Sequence, residues 1–270
     1  MRLAITHETV YRFETPALRA IQTLRLTPRT TENQFVDTWR IDVSQDCRLT
    51  AVEDAFGNLT HTFSIDGPID ELTIAATGEV VTEDTAGVLH FTRERLPLAA
   101  FLRDTAATAI EAEVRAFAEA IAEEAGGDRL TTLHRMMQRI AETVTVAEDA
   151  APAKPREVLA GGRATTDDTV HLFLAAVRSL DVPARFVTGW RHDPKCAVHP
   201  DGCRWMEAWL GADLGWVAFD AIEDCCPTDR WVRLAVGLDA LDTSAIRGVR
   251  THFGAETVTT RVEVRELSSA

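Results

Sequence analysis

Gly161-Gly-Arg-Ala-Thr-Thr-Asp-Asp-Thr-Val-His-Leu-Phe-Leu-Ala-Ala-Val-Arg-Ser-Leu180 is the stretch on which the fold turns. The glycine pair reads as a flexible lead-in. Thr165 or Thr166 is an apt helix N-cap, and Asp167 and Asp168 suit the positive end of a helix dipole. The pattern predicts a helix from near Thr166 to Leu180. Strand-like runs come next: Ala184-Arg-Phe-Val-Thr-Gly-Trp190, Trp205-Met-Glu-Ala-Trp-Leu210 and Gly215-Trp-Val-Ala-Phe-Asp220. Short turns, not crossover helices, separate them, so a parallel doubly wound sheet is disfavoured. No glycine-rich nucleotide motif argues otherwise. A helix followed by antiparallel-looking strands is an α+β layout.

Upstream, residues 107–125 are rich in Ala and Glu, with Ile110, Val114, Phe117 and Ile121 at helical spacing. Gly126-Gly127 stops that helix, and Asp128 can cap the next, whose stripe is Leu130, Leu133, Met137 and Ile140. Residues 1–95 read as β-structure. Leu3, Ile5, Thr9, Tyr11 and Phe13 fall on a period of two, and Leu24 and Leu26 repeat it before Pro28. Residues 39–43, 61–65 and 72–81 are further runs, and Asp54-Ala-Phe-Gly-Asn58 is a turn between two of them. Short strands at regular spacing predict a sandwich or barrel. Residues 257–264 form a last strand.

The chain has 270 residues, 46% hydrophobic and 26% charged, an ordinary balance for a globular protein with one large core or two smaller ones. A net charge of -14 repels phosphate backbones and disfavours nucleic acid as a partner. No apolar stretch approaches the ~18 residues of a membrane span, and the alternating start is not a signal peptide. A cytoplasmic location without a membrane partner is therefore expected. Five cysteines, an odd number, do not suggest a disulfide framework.

Several motifs together resemble bacterial transglutaminase-like proteins of the papain-type cysteine hydrolase superfamily. Ile5-x-His7-x-Thr9-x-Tyr11, Leu24-Arg-Leu-Thr-Pro-Arg29 and Asp54-Ala-Phe-Gly-Asn58 resemble that family's N-terminal domain. Gly162-Arg163 with His171-Leu172 resembles its nucleophile segment, and residues 180–190 its following strand. Trp205-Met-Glu-Ala-Trp209 and Leu214-Gly-Trp-Val-Ala-Phe-Asp220 resemble its base and acid strands, and residues 232–239 and 246–248 its C-terminal signature. The resemblance spans nearly the whole chain. It implies an all-β, sandwich-like N-terminal domain at 1–95, a transglutaminase-like, papain-like α+β core at 96–250, and a C-terminal strand at 251–270 returning to the first domain.

The resemblance also implies a cysteine at a helix N-terminus, a histidine that activates it and an aspartate that orients the histidine. Here the nucleophile position is Thr166, the base position is Cys203, and only the aspartate survives, as Asp220. A threonine hydroxyl ionises far less readily than a thiol, and a cysteine cannot shuttle a proton near pH 7 as imidazole does. Thr166 is expected to serve as the helix N-cap. His171 lies about 140° around the helix from Thr166, so a structural, hydrogen-bonded role is expected for it.

The expectation is therefore an inactive pseudoenzyme that binds a peptide or protein or regulates, with association with an active relative implied by the family setting. Asp167, Asp168, Trp190, Trp205 and Trp209 are candidate cleft-lining residues, although each tryptophan taken singly fits a core. One alternative is an amide hydrolase that uses Cys203 with His199 or another histidine as base. Another is a zinc site from Cys196, His199, Cys203 and Cys225, a spacing that matches no standard zinc module. Otherwise no cofactor is expected.

Overall fold

In a computed structural model, residues 1–89, 94–199 and 201–267 are described. The opening alternation builds one very long strand, β1 (Arg2–Thr27), followed by β2 (Gln34–Val43), β3 (Thr50–Glu53), β4 (Leu59–Thr82) and β5 (Val88–Leu89). A 3-10 turn at Leu98–Leu102 leads to α1 (Ala112–Glu124), α2 (Arg129–Thr143), β6 (Thr145–Val146), α3 (Pro155–Gly161), β7 (Arg163–Ala164) and α4 (Thr166–Ser179). Then come β8 (Ala184–Arg191), β9 (Val198–His199), β10 (Cys203–Trp209), β11 (Trp216–Phe219), β12 (Trp231–Gly237), α5 (Ala240–Thr243), β13 (Ile246–Thr251) and β14 (Glu256–Glu266). The architecture is α+β. Among the described residues no helix is long and apolar enough to cross a membrane.

Of the runs expected as separate short strands in the first region, 39–43 falls in β2 and the others are segments of two long strands, β1 and β4. β1 is flanked along its length by β4 on one side and by β14 and then β13 on the other. Where the alternation breaks after Phe13, the chain does not turn. Register shifts between Arg12 and Arg19 absorb the break as an irregularity within the strand. A straight strand of that length would reach about 85 Å at about 3.3 Å per residue. Yet Leu3 and Ile5 share one hydrophobic cluster with Leu24 and Leu26. The sheet therefore curls on itself, and the expected sandwich is a single seven-stranded sheet. β9 joins that sheet through β14, and β13 pairs with β1, so residue 250 lies within a strand of it.

The core sheet has the order β12-β8-β10-β11-β5, antiparallel throughout. α4 is its central helix, buried continuously from Thr169 to Ser179. α1 starts later than the Ala-rich run suggests. Thr105 and Thr108 form a turn instead, with Thr105 N–H donating to Thr108 Oγ1 at 2.9 Å. That same hydroxyl accepts from buried Arg178 Nη1 at 2.9 Å.

Two sequence motifs prove to be clips between the regions. Trp190 of β8 donates its indole N–H to His7 Nδ1 at 3.1 Å and stacks on Trp39 at 5.4 Å. Burial lowers the His7 imidazole to about 4, so the ring is neutral near pH 7 and accepts that bond. Asn58, in the predicted turn, accepts from Val236 N–H and donates to Val236 O, each at 2.8 Å. Gln34 does the same for Arg233, accepting at 2.7 Å and donating at 2.9 Å. Two amide side chains thus cover the free edge of β12, where a further strand would otherwise pair.

Candidate functional site

The first turn of α4 forms one wall of a cleft. Thr165, not Thr166, is the N-cap: its hydroxyl accepts from Asp168 N–H at 3.1 Å. Gly162 is no loose lead-in. It is the left-handed C-cap of α3, with φ 64°. Thr166 is thereby free of capping, and its hydroxyl donates to Glu148. Asp168 Oδ2 accepts from Thr165 Oγ1 at 2.9 Å and from Ala153 N–H at 3.1 Å. Burial works to raise the Asp168 carboxyl, but His171 and these donors hold it below its ordinary value. His171 is buried, with Nδ1 3.6 Å from Asp168 Oδ1 and Nε2 accepting from Ala240 N–H at 3.2 Å. Both ring nitrogens are occupied structurally, as its position on the helix suggests.

The opposite wall comes from β10 and the end of β11. Thr166, Cys203 and Asp220 line one cavity of about 160 Å³, together with His199, Arg204 and Glu223. A larger, more open cavity of about 700 Å³ shares Thr166, His199, Asp201, Gly202 and Arg204 with it, so the two form one groove.

Asp220 is buried, and among the described residues no histidine is bonded to it. Its Oδ1 accepts from the N–H groups of Ile222 at 3.0 Å and Glu223 at 3.1 Å. Its Oδ2 accepts from Trp231 Nε1 at 3.1 Å. Burial still raises the carboxyl to about 6, because three neutral donors offset only part of the lost hydration. Burial and the Asp220 charge together push the Cys203 thiol far above its ordinary value, against the opposing pull of Arg204 and Arg191. The same two causes push Cys225 up to about 11. Arg204 is held by Asp167, with Nε to Oδ1 at 3.0 Å, and by Asp201.

The other candidate residues are not all here. Asp167 and Asp168 line the groove and Trp190 forms its floor, but Trp205 and Trp209 lie elsewhere. Met206 and Ala208 of β10 belong to the core around α4. By strand alternation Trp205 and Trp209 point to the other face, into clusters with Trp231 and Trp216. The zinc expectation also fails on geometry. Among the described residues no group of three or more His, Cys, Asp or Glu converges as a metal site. Cys196 is exposed and bonds back to Val198 O at 3.1 Å. Glu148 and Trp231, which engage Thr166 and Asp220, carried no signal in the sequence: each is remote from its partner along the chain and sits in no periodic pattern.

Comparison with known proteins agrees with this architecture. Residues 3–81 match the bacterial transglutaminase-like N-terminal region, and residues 115–221 match the transglutaminase-like superfamily. The protein ML0607 of Mycobacterium leprae (strain TN), uncharacterised, is 26% identical over 280 residues, covering 99% of each chain. A crystal structure from Cytophaga hutchinsonii, provisionally named a cysteine protease, superposes with a TM-score of 0.76 at 18% identity. It covers 100% of this chain and 92% of that one. The periplasmic domain of TgpA from Pseudomonas aeruginosa reaches a TM-score of 0.41 at 13% identity, covering 80% of this chain and 87% of that one. The chain thus combines a bacterial transglutaminase-like N-terminal region with a transglutaminase-like core.

Proposed function

We propose that this chain is a non-catalytic member of its family whose groove binds a peptide or protein segment. One observation carries the reading: Asp220, at the position that orients the family's histidine, spends its free oxygen on the indole of Trp231. The surrounding chemistry supports it. The thiol at Cys203 is disfavoured as thiolate, and the Thr166 hydroxyl faces a carboxylate that has no second partner to relay its proton. The groove walls carry Glu148, Asp167, Asp168 and Asp201 against Arg204, a balance that suits a ligand with a basic group.

A second reading has one observation in its favour. His199 lines the same cavity as Cys203, and its Nε2 is buried without a partner. A Cys203–His199 pair would be a rearranged amide hydrolase. The two readings part in a transamidation and amide-hydrolysis assay of the full chain. We expect no turnover above blank for the wild type. Turnover that disappears in Cys203→Ala would overturn the non-catalytic reading and establish the second. The binding half is tested by titrating lysine-rich and glutamate-rich peptides while following tryptophan fluorescence, with Asp201→Asn as control. Preference for the lysine-rich peptide, weakened several-fold in Asp201→Asn, is expected; no binding of either peptide would remove this half of the proposal.

A further inference from the structure

On the other face of the core sheet, away from α4, lies a cavity of about 230 Å³ that shares no lining residue with the groove. Its walls are Arg29, Phe56, Glu94, Arg185 and Arg233, with Glu32 at an exposed rim. Arg185 is 1% exposed. Its guanidinium lies 3.9 Å over the Trp216 ring, with Nε bonded to Glu207 Oε2 and Nη1 to Glu94 Oε1, both at 2.7 Å. Arg233 Nε is 3.0 Å from the other oxygen of buried Glu207. Nη2 of Arg185 is buried and has no hydrogen-bond partner among the described residues.

A buried guanidinium nitrogen that lacks an acceptor is costly, because its lost hydration is not replaced. Glu94 and Glu207 are ion-paired with the two arginines, and neither supplies an acceptor to Arg185 Nη2. We propose that this cavity binds a small carboxylate, held by Arg185 Nη2 and the Arg233 guanidinium. The fork of donors on an arginine matches a planar carboxylate. Glu94 and Glu32 close by disfavour a doubly charged phosphate more than a single negative charge. The volume exceeds the ~150 Å³ of a cavity that holds benzene, and Phe56 provides an apolar wall, so the acid carries an apolar group. A free organic acid and the C-terminal carboxylate of a peptide share this chemistry.

The test is calorimetric titration of the full chain at fixed ionic strength with benzoate, inorganic phosphate, and a short peptide ending in phenylalanine, as free acid and as amide. Benzoate is expected to bind at least tenfold more tightly than phosphate. Glu32→Gln should tighten it severalfold, because a repelling charge leaves the rim. Arg233→Gln should weaken it at least tenfold; circular dichroism checks its folding, and Glu32→Gln keeps the proposal testable if it fails to fold. Free-acid peptide binding more tightly than benzoate, with no binding of the amide, assigns the site to a peptide terminus; the reverse order assigns it to a free acid. Benzoate binding no better than chloride, or unmoved by Glu32→Gln, overturns the proposal. None of these results depends on the groove, so the proposed function stands or falls separately.

Discussion

Thiol reactivity gives the sharpest test of the groove. Thiol–disulfide exchange proceeds through the thiolate, so a raised pKa slows it in a calculable way. At pH 8 a free thiol with a value of about 8.5 is about one quarter ionised. Cys225, pushed up to about 11, is ionised only to about one part in a thousand. The more basic thiolate is intrinsically more nucleophilic, by about tenfold over this interval at a Brønsted coefficient of about 0.45. The net expectation is exchange about 20-fold slower than free cysteine. Cys203 is raised by the same causes, burial and then the Asp220 charge, and should be at least as slow. Its rate should climb close to tenfold per pH unit from 7 to 10 without a plateau. Asp220→Asn removes the charge that both thiols face and should accelerate both. The assay is exchange with an aromatic disulfide, quenched with acid and resolved cysteine by cysteine by mass spectrometry. Exchange of Cys203 at pH 7 as fast as free cysteine would refute the reasoning, because a stabilised thiolate is the mark of an activated nucleophile.

Other consequences follow from the same contacts. Asn58→Ala strands the N–H and C=O of Val236 at the edge of β12 and should cost about 2–5 kcal/mol in urea unfolding, with Asn58→Asp intermediate. Gly189→Ala would place a methyl 2.1 Å from Val232 O and 2.6 Å from the Trp205 ring; neither can yield, so stability should fall by at least about 3 kcal/mol, read as a lowered urea midpoint. The Asp220 carboxyl rises from 3.8 unfolded to about 6 folded, so the native state holds the proton more tightly. Its contribution is therefore greatest below pH 3.8 and is lost as pH rises through 6, a span of about 3 kcal/mol at about 1.4 kcal/mol per unit. The cost of Asp220→Asn, measured by denaturant unfolding, should accordingly be larger at pH 4.5 than at pH 7.5; an equal cost at both would contradict the raised value.

How much of this was legible in the sequence depends on the range of each signal. The N-terminus of α4 could be placed because its cap is local: Thr165, Asp167 and Asp168 lie within four residues of one another. Choosing between Thr165 and Thr166 needed their hydroxyl contacts: Thr165 accepts from Asp168 N–H, whereas Thr166 donates to Glu148. The long strands were misread for a related reason. Apolar alternation reports which face is buried, but a break in it looks the same whether the chain turns or slips register, and β1 slips. The motifs around His7 and Asn58 were recognised as patterns, yet their physical role is a contact across more than 170 positions of chain. No window of sequence contains both halves of such a bond.

The groove sharpens the point. Thr166, Cys203 and Asp220 could be named in advance because family spacing places them, and they do line one cavity. What they do there is decided by neighbours that spacing does not place. Glu148 reaches Thr166 from the loop after β6, and Trp231 reaches Asp220 from the first residue of β12. The indole matters most. A carboxylate facing an empty base position would be buried with an unpaired oxygen, at a cost on the order of several kcal/mol. Trp231 removes that cost without being able to accept or return a proton, since indole is a donor only. On the non-catalytic reading proposed above, the missing histidine is compensated structurally and not chemically. In a Cys203→His variant the imidazole would have to share Oδ2 with the indole, whereas Trp231→Phe added to it would leave that oxygen to the imidazole alone. An upward shift of the introduced imidazole's pKa that is larger in the double variant than in Cys203→His alone, measured by NMR titration, is the expected sign that Trp231 competes for the acid; equal shifts would contradict it.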